Sequence, residues 1–184
     1  MRAPLLSAAS RAALLALVRR AIESELSGMA PPAPPDAAEE LQRVAGAFVT
    51  LRAVESGELR GCVGFIEPRF PLWRTVIDAA VAAALHDRRF PRVALDELAS
   101  LSVHVSVLGA LAPIAPEAVE VGLHGLVIRK GGRSGLLLPQ VAPEHGWDRE
   151  ELLSHTCLKA GLPAGAWREP GYELLAFTVE YFGE

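Results

Sequence analysis

Between Leu98 and Pro116 the chain carries no formal charge, yet apolar and polar side chains alternate along the middle of this stretch. Alternation with a period of two residues is typical of a β-strand that has one buried face and one polar face. The stretch therefore predicts a half-buried strand and not a membrane-spanning helix, which needs about 20 predominantly apolar residues in succession. The buried face comprises Leu101, Val103, Val105 and Val107, and the polar face comprises Ser102, His104 and Ser106.

The remaining predicted strands are joined by short turns that favour antiparallel pairing. Glu55-Ser56-Gly57-Glu58 and Gly131-Gly132-Arg133-Ser134 each separate two strand-like runs and therefore predict two hairpins. The predicted strands are 48–54 and 59–66 in the first hairpin, 125–130 and 135–139 in the second, and 173–182 at the end of the chain.

Helices are predicted at irregular places between these strands. One covers residues 71–86, and another follows Asp148, where Glu151 completes a pattern typical of a capping box. A regular alternation of strand and helix, which a parallel sheet requires, does not occur. The pattern indicates an α+β fold with a largely antiparallel sheet and flanking helices.

The N-terminal region predicts a helix and a connection that precede this body. Apolar residues recur at helical spacing within residues 1–28, and the uninterrupted apolar run from Ala12 to Val18 is too short to favour a targeting peptide. Residues 29–36 are rich in proline and predict an extended connection. We expect a single domain in which residues 37–184 form the α+β body.

Charge and cysteine content exclude several classes of function. The 184 residues carry 18 Lys and Arg against 22 Asp and Glu, a net charge of -4, so no basic field is expected to attract nucleic acid. Cys62 and Cys157 stand far apart and outside any C-x-x-C spacing, which argues against a disulfide framework or a common metal site. Reduced thiols are typical of a cytoplasmic protein. We expect no membrane span, no metal and no cofactor.

The segment Leu59-Arg60-Gly61-Cys62-Val63-Gly64 is the most informative for function, because a strand would sort it into two unlike faces. Arg60, Cys62 and Gly64 would share one face, with the guanidinium about 7 Å along the strand from the thiol. A fixed cation favours the thiolate, and Gly64 permits close approach of a ligand, so Cys62 is a candidate nucleophile or redox centre. The structural alternative is a small buried cysteine beside a bulge.

A cysteine nucleophile requires a base, and the sequence offers five histidines. His104 lies on the polar face of its predicted strand, whereas His124 stands between glycines in Gly122-Leu123-His124-Gly125 and can be presented closely to a ligand. His124 is the preferred candidate, although a hydrogen-bonded scaffold histidine is the alternative. Asp87, after the helix of residues 71–86, is a further candidate that could equally order its own turn.

Four ordered motifs resemble those of the AMMECR family, and in particular of its bacterial and archaeal branch named after the AmmeMemoRadiSam system. They are Leu59-Arg60-Gly61-Cys62-Val63-Gly64, Asp87-Arg88-Arg89-Phe90-Pro91, Gly122-Leu123-His124-Gly125, and Leu138-Pro139 with Glu144-His145-Gly146-Trp147-Asp148. The resemblance implies an α+β domain with a smaller lobe that forms a cleft near the first motif. It also implies association with a Memo-like protein of extradiol-dioxygenase type and with a radical SAM protein. The functional positions that it implies are Arg60, Gly61, Cys62, Gly64, Asp87, Arg89 and His124.

Two functions follow as hypotheses. In the first, the chain is an accessory component. A cleft walled by Arg60, Cys62 and His124 holds a small anionic ligand or a segment of the Memo-like partner without turnover, and Gly61 and Gly64 allow close approach of the backbone. In the second, it is a cysteine-dependent enzyme in which Cys62 is the nucleophile or redox centre and His124 relays protons. Lack of the common hydrolase, kinase and dehydrogenase motifs favours the accessory role.

Overall fold

Residues 6–34, 39–67 and 69–184 are described by the computed structural model. They form two compact units, one made of the described residues up to Leu108 together with Glu180–Glu184, and the other made of Gly109–Val179. Residues 1–5 of the predicted N-terminal helix, and residues 35 and 36 of the predicted connection, lie outside the described residues. The prediction of a single domain with a cleft stays a prediction.

The described residues form five α-helices and eight strands. The helices are α1 (Ala8–Leu26), α2 (Glu39–Gln42), α3 (Leu72–Leu85), α4 (Val141–His145) and α5 (Arg149–Lys159). The strands are β1 (Ala47–Ala53), β2 (Leu59–Phe65), β3 (Leu101–Leu108), β4 (Ala112–Pro113), β5 (Gly125–Lys130), β6 (Arg133–Leu137), β7 (Glu173–Phe177) and β8 (Val179–Gly183). None of the described helices is both long enough and apolar enough to cross a membrane.

The larger unit contains a four-stranded sheet in the order β2-β1-β3-β8, which makes β2 an edge strand. Strand β1 pairs antiparallel with both β2 and β3. The predicted alternation of β3 is confirmed on its apolar side, because Leu101, Val103, Val105 and Val107 are buried. They join a core to which α1 and α3 contribute, with alanines of α3 allowing that helix to pack closely.

The smaller unit contains a second four-stranded sheet, in the order β4-β7-β5-β6. Helix α5 contributes Leu152, Leu153 and Cys157 to a core of its own. The predicted capping box of this helix is confirmed, because Asp148 accepts from the Glu151 N–H while the Glu151 carboxylate accepts from the Asp148 N–H.

The α+β class with antiparallel pairing is confirmed, but two details of the prediction were wrong. Residues 173–182 are two strands in different sheets, since the chain leaves one ladder at Phe177 and enters the other at Val179. The second hairpin turns at two residues, not four, because Gly131 and Gly132 both adopt positive φ angles of 58° and 77°. Such angles suit a two-residue turn, so Arg133 and Ser134 already belong to β6.

Candidate functional site

The first motif, LRGCVG, forms most of edge strand β2 and places Cys62 in a row of three side chains across the sheet. Cys62 lies opposite Thr50 of β1, and Thr50 lies opposite His104 of β3. The Thr50 hydroxyl donates to the Cys62 Sγ over 3.2 Å. Because His104 is two strands from Cys62, about 10 Å across the sheet, Thr50 stands between the thiol and the imidazole.

His104 is held in a half-buried position on this face. Its ring stacks on Tyr181 with 5.5 Å between centroids, and its Nε2 lies 3.3 Å from the Ser102 hydroxyl. Burial lowers the pKa of His104, and the positive charge of Arg52 acts in the same direction. The neutral imidazole is therefore favoured at this place.

The preferred histidine of the sequence analysis, His124, belongs to the other unit. It follows the Gly122 turn, which has a φ of 83°, and its Nδ1 accepts from the Glu120 N–H over 3.0 Å. That hydrogen bond gives the imidazole a local structural contact. Within the larger unit, the histidine that shares a row with Cys62 is His104.

Arg60 interrupts the regular pairing of β2 and bonds to the segment that follows α3. The register of β1 and β2 shifts between Leu51 and Arg52, so Arg60 is the extra residue of a β-bulge. Its guanidinium donates to both carboxylate oxygens of Glu97, over 2.5 and 3.0 Å, and to the carbonyls of Pro91 and Arg92. These contacts use four of the five N–H groups that an arginine has. The guanidinium thus holds residues 91–97 against β2.

Asp87 and Arg89 together bind the outer edge of β2 at Cys62. The Cys62 N–H donates to Asp87 Oδ2 over 2.9 Å, and Arg89 Nη2 donates to the Cys62 carbonyl over 3.1 Å. Arg89 also donates from Nε and Nη2 to the two carboxylate oxygens of Asp87, over 2.9 and 2.7 Å. We call this arrangement the Asp87–Arg89 clamp. It satisfies both main-chain groups of Cys62 as a neighbouring strand would.

The electrostatics of the clamp favour its charged form. The hydrogen bonds from the Arg89 side chain hold the pKa of Asp87 far below its usual range, although burial opposes them, and the Cys62 N–H adds to the lowering. The same pairing with Asp87 raises the pKa of Arg89, and the Cys62 side chain contributes in the same direction. Arg89 is thus the arginine that contacts Cys62 directly, whereas the guanidinium of Arg60 binds Glu97.

The glycines of the motif are explained by close packing. A Cβ at Gly61 would lie 2.2 Å from the Ala83 carbonyl oxygen, so only glycine lets α3 approach β2 this closely. A Cβ at Gly64 would lie 2.3 Å from the Phe48 ring, which covers that position from the neighbouring strand. The backbone on the Cys62 side of Gly64 is thus occupied by an aromatic ring.

A surface pocket of about 500 Å³ lies where β2 ends, between the strand and the first turns of α3. Phe65 and Phe70 line it with side chains that are 43% and 54% exposed. Its other lining residues are Gly64, Ile66, Glu67, Arg69, Thr75 and Asp78. The pocket combines an apolar lining with charged residues at the rim, which suits an apolar group carried by a polar chain.

Sequence reasoning missed three residues of this site. Thr50 and Glu97 carry no motif of their own and become visible only as partners of Cys62 and Arg60. Phe70 stands in the connection to α3, and the available signal in the sequence was an aromatic residue directly before Pro71.

Among the described residues, no three His, Cys, Asp or Glu side chains are arranged to hold a metal ion.

Comparison with known proteins gives a consistent result. The family model AMMECR1 matches residues 15–182. A protein of the archaeon Thermococcus gammatolerans is 46% identical over 181 residues, which cover 93% of this chain and 88% of the relative. A protein of Thermofilum pendens is 41% identical over 195 residues, covering 97% of this chain and 92% of the relative. The crystal structure of a Pyrococcus horikoshii protein has a TM-score of 0.82 and 44% identity, covering 93% of this chain and 89% of that one.

Proposed function

The chain belongs to the AMMECR1 family, and we propose that it is an accessory component that binds a ligand or a segment of a partner protein beside the LRGCVG strand. The observation that carries the proposal is the contrast between the two parts of β2. The charged groups of the motif region are engaged inside the unit, in the Asp87–Arg89 clamp and in the Arg60–Glu97 pair. The pocket at the end of the strand exposes Phe65 and Phe70 to solvent.

A protein segment suits this surface better than a small anion. An anion at Arg60 would have to displace the Glu97 carboxylate, which already makes two charge-assisted hydrogen bonds. An apolar side chain in the pocket that the exposed Phe65 and Phe70 line gains by burying surface, and the Arg60–Glu97 and Asp87–Arg89 pairs stay intact. The occupant is therefore a partner segment with an apolar residue.

The resemblance of the motifs to the AMMECR family supports a proposal for the partners. We propose that the chain acts with a Memo-like protein of extradiol-dioxygenase type and with a radical SAM protein. Cys62 and Cys157 are both free thiols, which supports a reducing compartment such as the cytoplasm.

Titration calorimetry with the purified Memo-like protein and the purified radical SAM protein of the source organism tests the proposal. The native chain should bind at least one of them, and Phe70→Asp should weaken that binding at least tenfold. Val54→Asp is the matched control, because Val54 is 61% exposed but lies at the turn end of the same hairpin. Binding of neither protein, or equal losses in both variants, would contradict the proposal.

A second candidate function, a cysteine-dependent enzyme that uses Cys62, is favoured by one observation. The Thr50 hydroxyl donates to the Cys62 sulfur over 3.2 Å, so a polar neighbour holds this side chain in a defined position. In this candidate function, Cys62 is the nucleophile or redox centre. His104 lies in the same row of side chains, with Thr50 between the imidazole and the thiol.

Alkylation by iodoacetamide tests this second candidate. Cys157 serves as the internal control, since it is fully buried and burial raises the pKa of its thiol. The enzyme hypothesis expects Cys62 of the native chain to react faster than free cysteine at pH 7. It also expects Thr50→Val to slow the reaction several-fold and Thr50→Ser to preserve it. A Cys62 that reacts no faster than free cysteine excludes this candidate.

A further inference from the structure

The outer edge of β2 carries main-chain groups that are hydrogen-bonded, at Cys62, and main-chain groups that are open, at Gly64. In an antiparallel pair, successive residues direct their N–H and C=O groups alternately toward the partner strand and away from it. Cys62 directs both groups away from β1, because they bond to Asp87 and Arg89. Gly64 lies two residues further along β2, and the pairing with β1 is regular between Cys62 and Gly64. The N–H and C=O of Gly64 therefore point to the same outer edge.

The Asp87–Arg89 clamp covers this edge at Cys62, whereas the Gly64 N–H and C=O have no hydrogen-bond partner among the described residues. The clamp offers an acceptor and a donor to one residue of β2, as a single residue of an added strand would. An unpaired edge is a template for another extended chain, and proteins commonly block such edges. The clamp therefore marks where the available edge begins.

The open main-chain groups lie directly beside the pocket. Gly64 is itself one of the lining residues, together with Phe65 and Phe70. In recognition by strand addition, main-chain hydrogen bonds hold an extended peptide, and side-chain pockets next to the edge select its sequence. Both elements occur here within a few residues.

We propose that an extended peptide segment of a partner protein adds to β2 as a fifth strand. One peptide residue exchanges hydrogen bonds with the Gly64 N–H and C=O, and an apolar peptide side chain lies between Phe65 and Phe70. The inference rests on the proposed function and specifies how the partner is recognised. An extended main chain is the expected occupant because a donor and an acceptor at a strand edge pair with a peptide group, whereas the phenyl rings alone would accept any apolar molecule.

Selection from a phage library of random twelve-residue peptides tests the inference and does not require the partner to be identified. Peptides are selected on the native chain and counter-selected on Phe70→Asp, and the best is synthesised with each amide nitrogen methylated in turn. Methylation of the residue opposite Gly64 should weaken binding at least tenfold. Methylation of either adjacent residue should weaken it less than twofold, because those N–H groups point away from β2. Val54→Asp should bind the peptide as the native chain does.

Each other outcome overturns the inference. Strand addition is excluded if the selection yields no peptide whose binding depends on Phe70. It is also excluded if methylation of adjacent peptide residues weakens binding equally. Sedimentation that shows the native chain pairing with a second copy, with the pairing lost in Phe70→Asp, assigns the edge to self-association. If a whole partner protein binds while these peptide tests fail, the proposed function stands and the strand-addition inference falls.

Discussion

Asp87 is the residue that connects the LRGCVG strand to the segment after α3. Its side chain is 6% exposed and accepts hydrogen bonds from Cys62 and Arg89, whereas the Arg89 side chain is 58% exposed. The carboxylate thus fixes the position of the strand from a buried site. This role explains structurally why the motif at residues 87–91 contains Asp87 and Arg89.

The stability contributed by Asp87 should depend on pH with a defined sign. The hydrogen bonds lower the folded-state pKa below the value of about 3.9 expected for an unfolded chain. The contribution is therefore complete at neutral pH, and it is lost as the pH falls below about 4 and through the folded-state pKa. Asp87→Asn should lower the free energy of unfolding by about 2 kcal/mol at pH 7.

Urea denaturation of the native chain and Asp87→Asn between pH 3 and pH 7 measures this difference. The gap between the two proteins should shrink toward the acid end of the range. Asp96→Asn, at an exposed position in the same segment, should change stability by less than about 0.5 kcal/mol. A gap for Asp87→Asn that is independent of pH would contradict the assignment.

The same packing device connects a helix to a strand in each unit. Gly61 of β2 lets α3 approach through Ala83, and Gly135 of β6 lets α5 approach through Ala160. In both places a Cβ would come within 2.3 Å of helix backbone. Backbone cannot move aside as a flexible side chain can, so the helix itself would have to shift.

Gly61→Ala should therefore lower the free energy of unfolding by about 3 kcal/mol through overpacking. Gly165→Ala is the matched control, because nothing lies within 4 Å of its Cβ position and its φ of -84° suits alanine. Thermal and urea unfolding of both variants measures the difference. Equal free energies of unfolding for the two variants would show that α3 can move away from β2 without loss of stability.

At the scale of the whole chain, each unit has its own hydrophobic core. Leu51 is fully buried in the core of the larger unit, and Leu152 is fully buried in that of the smaller unit. Replacing a buried leucine with alanine removes apolar contacts and leaves a cavity, which costs about 3 kcal/mol. Because each unit has its own core, one substitution can destabilise the larger unit and another the smaller unit.

Leu51→Ala and Leu152→Ala should accelerate amide hydrogen exchange mainly in the unit that carries the substitution. Slow amides of β1 and β3 report on the larger unit, and those of β5 and β7 report on the smaller one. Exchange followed by mass spectrometry with peptide resolution distinguishes them. Equal acceleration in both units would contradict this prediction and would show that they unfold as one cooperative body.

The sequence predicts periodic features well because they depend on neighbours in the chain. The alternation of β3, the strand at LRGCVG and the capping box at Asp148 all follow from local spacing. The role of Arg60 does not, because the bulge that redirects it depends on the register with β1. Glu97 is 37 residues from Arg60, so their pairing arises from the tertiary fold.

Two other features could not be derived from local patterns. Residues 173–182 are predicted as one strand, because no glycine or proline interrupts this largely apolar run and nothing in it reveals that the chain changes sheets after Phe177. The sequence favours His124 among the five histidines, and only the sheet order reveals that His104 shares a row with Cys62. Periodicity identifies a face of a strand, but tertiary pairing decides what lies beside it.

The edge of β2 is fixed at Cys62 and open at Gly64, and amide hydrogen exchange at these two residues tests this difference. Nuclear magnetic resonance of the labelled native chain measures both rates in one sample without any ligand. The Cys62 amide, bonded to buried Asp87, should exchange at least 100-fold more slowly than the Gly64 amide after correction for intrinsic rates, and Asp87→Asn should reduce this ratio at least tenfold. Equal protection at Cys62 and Gly64 in the native chain would show that the edge of β2 is not open at Gly64.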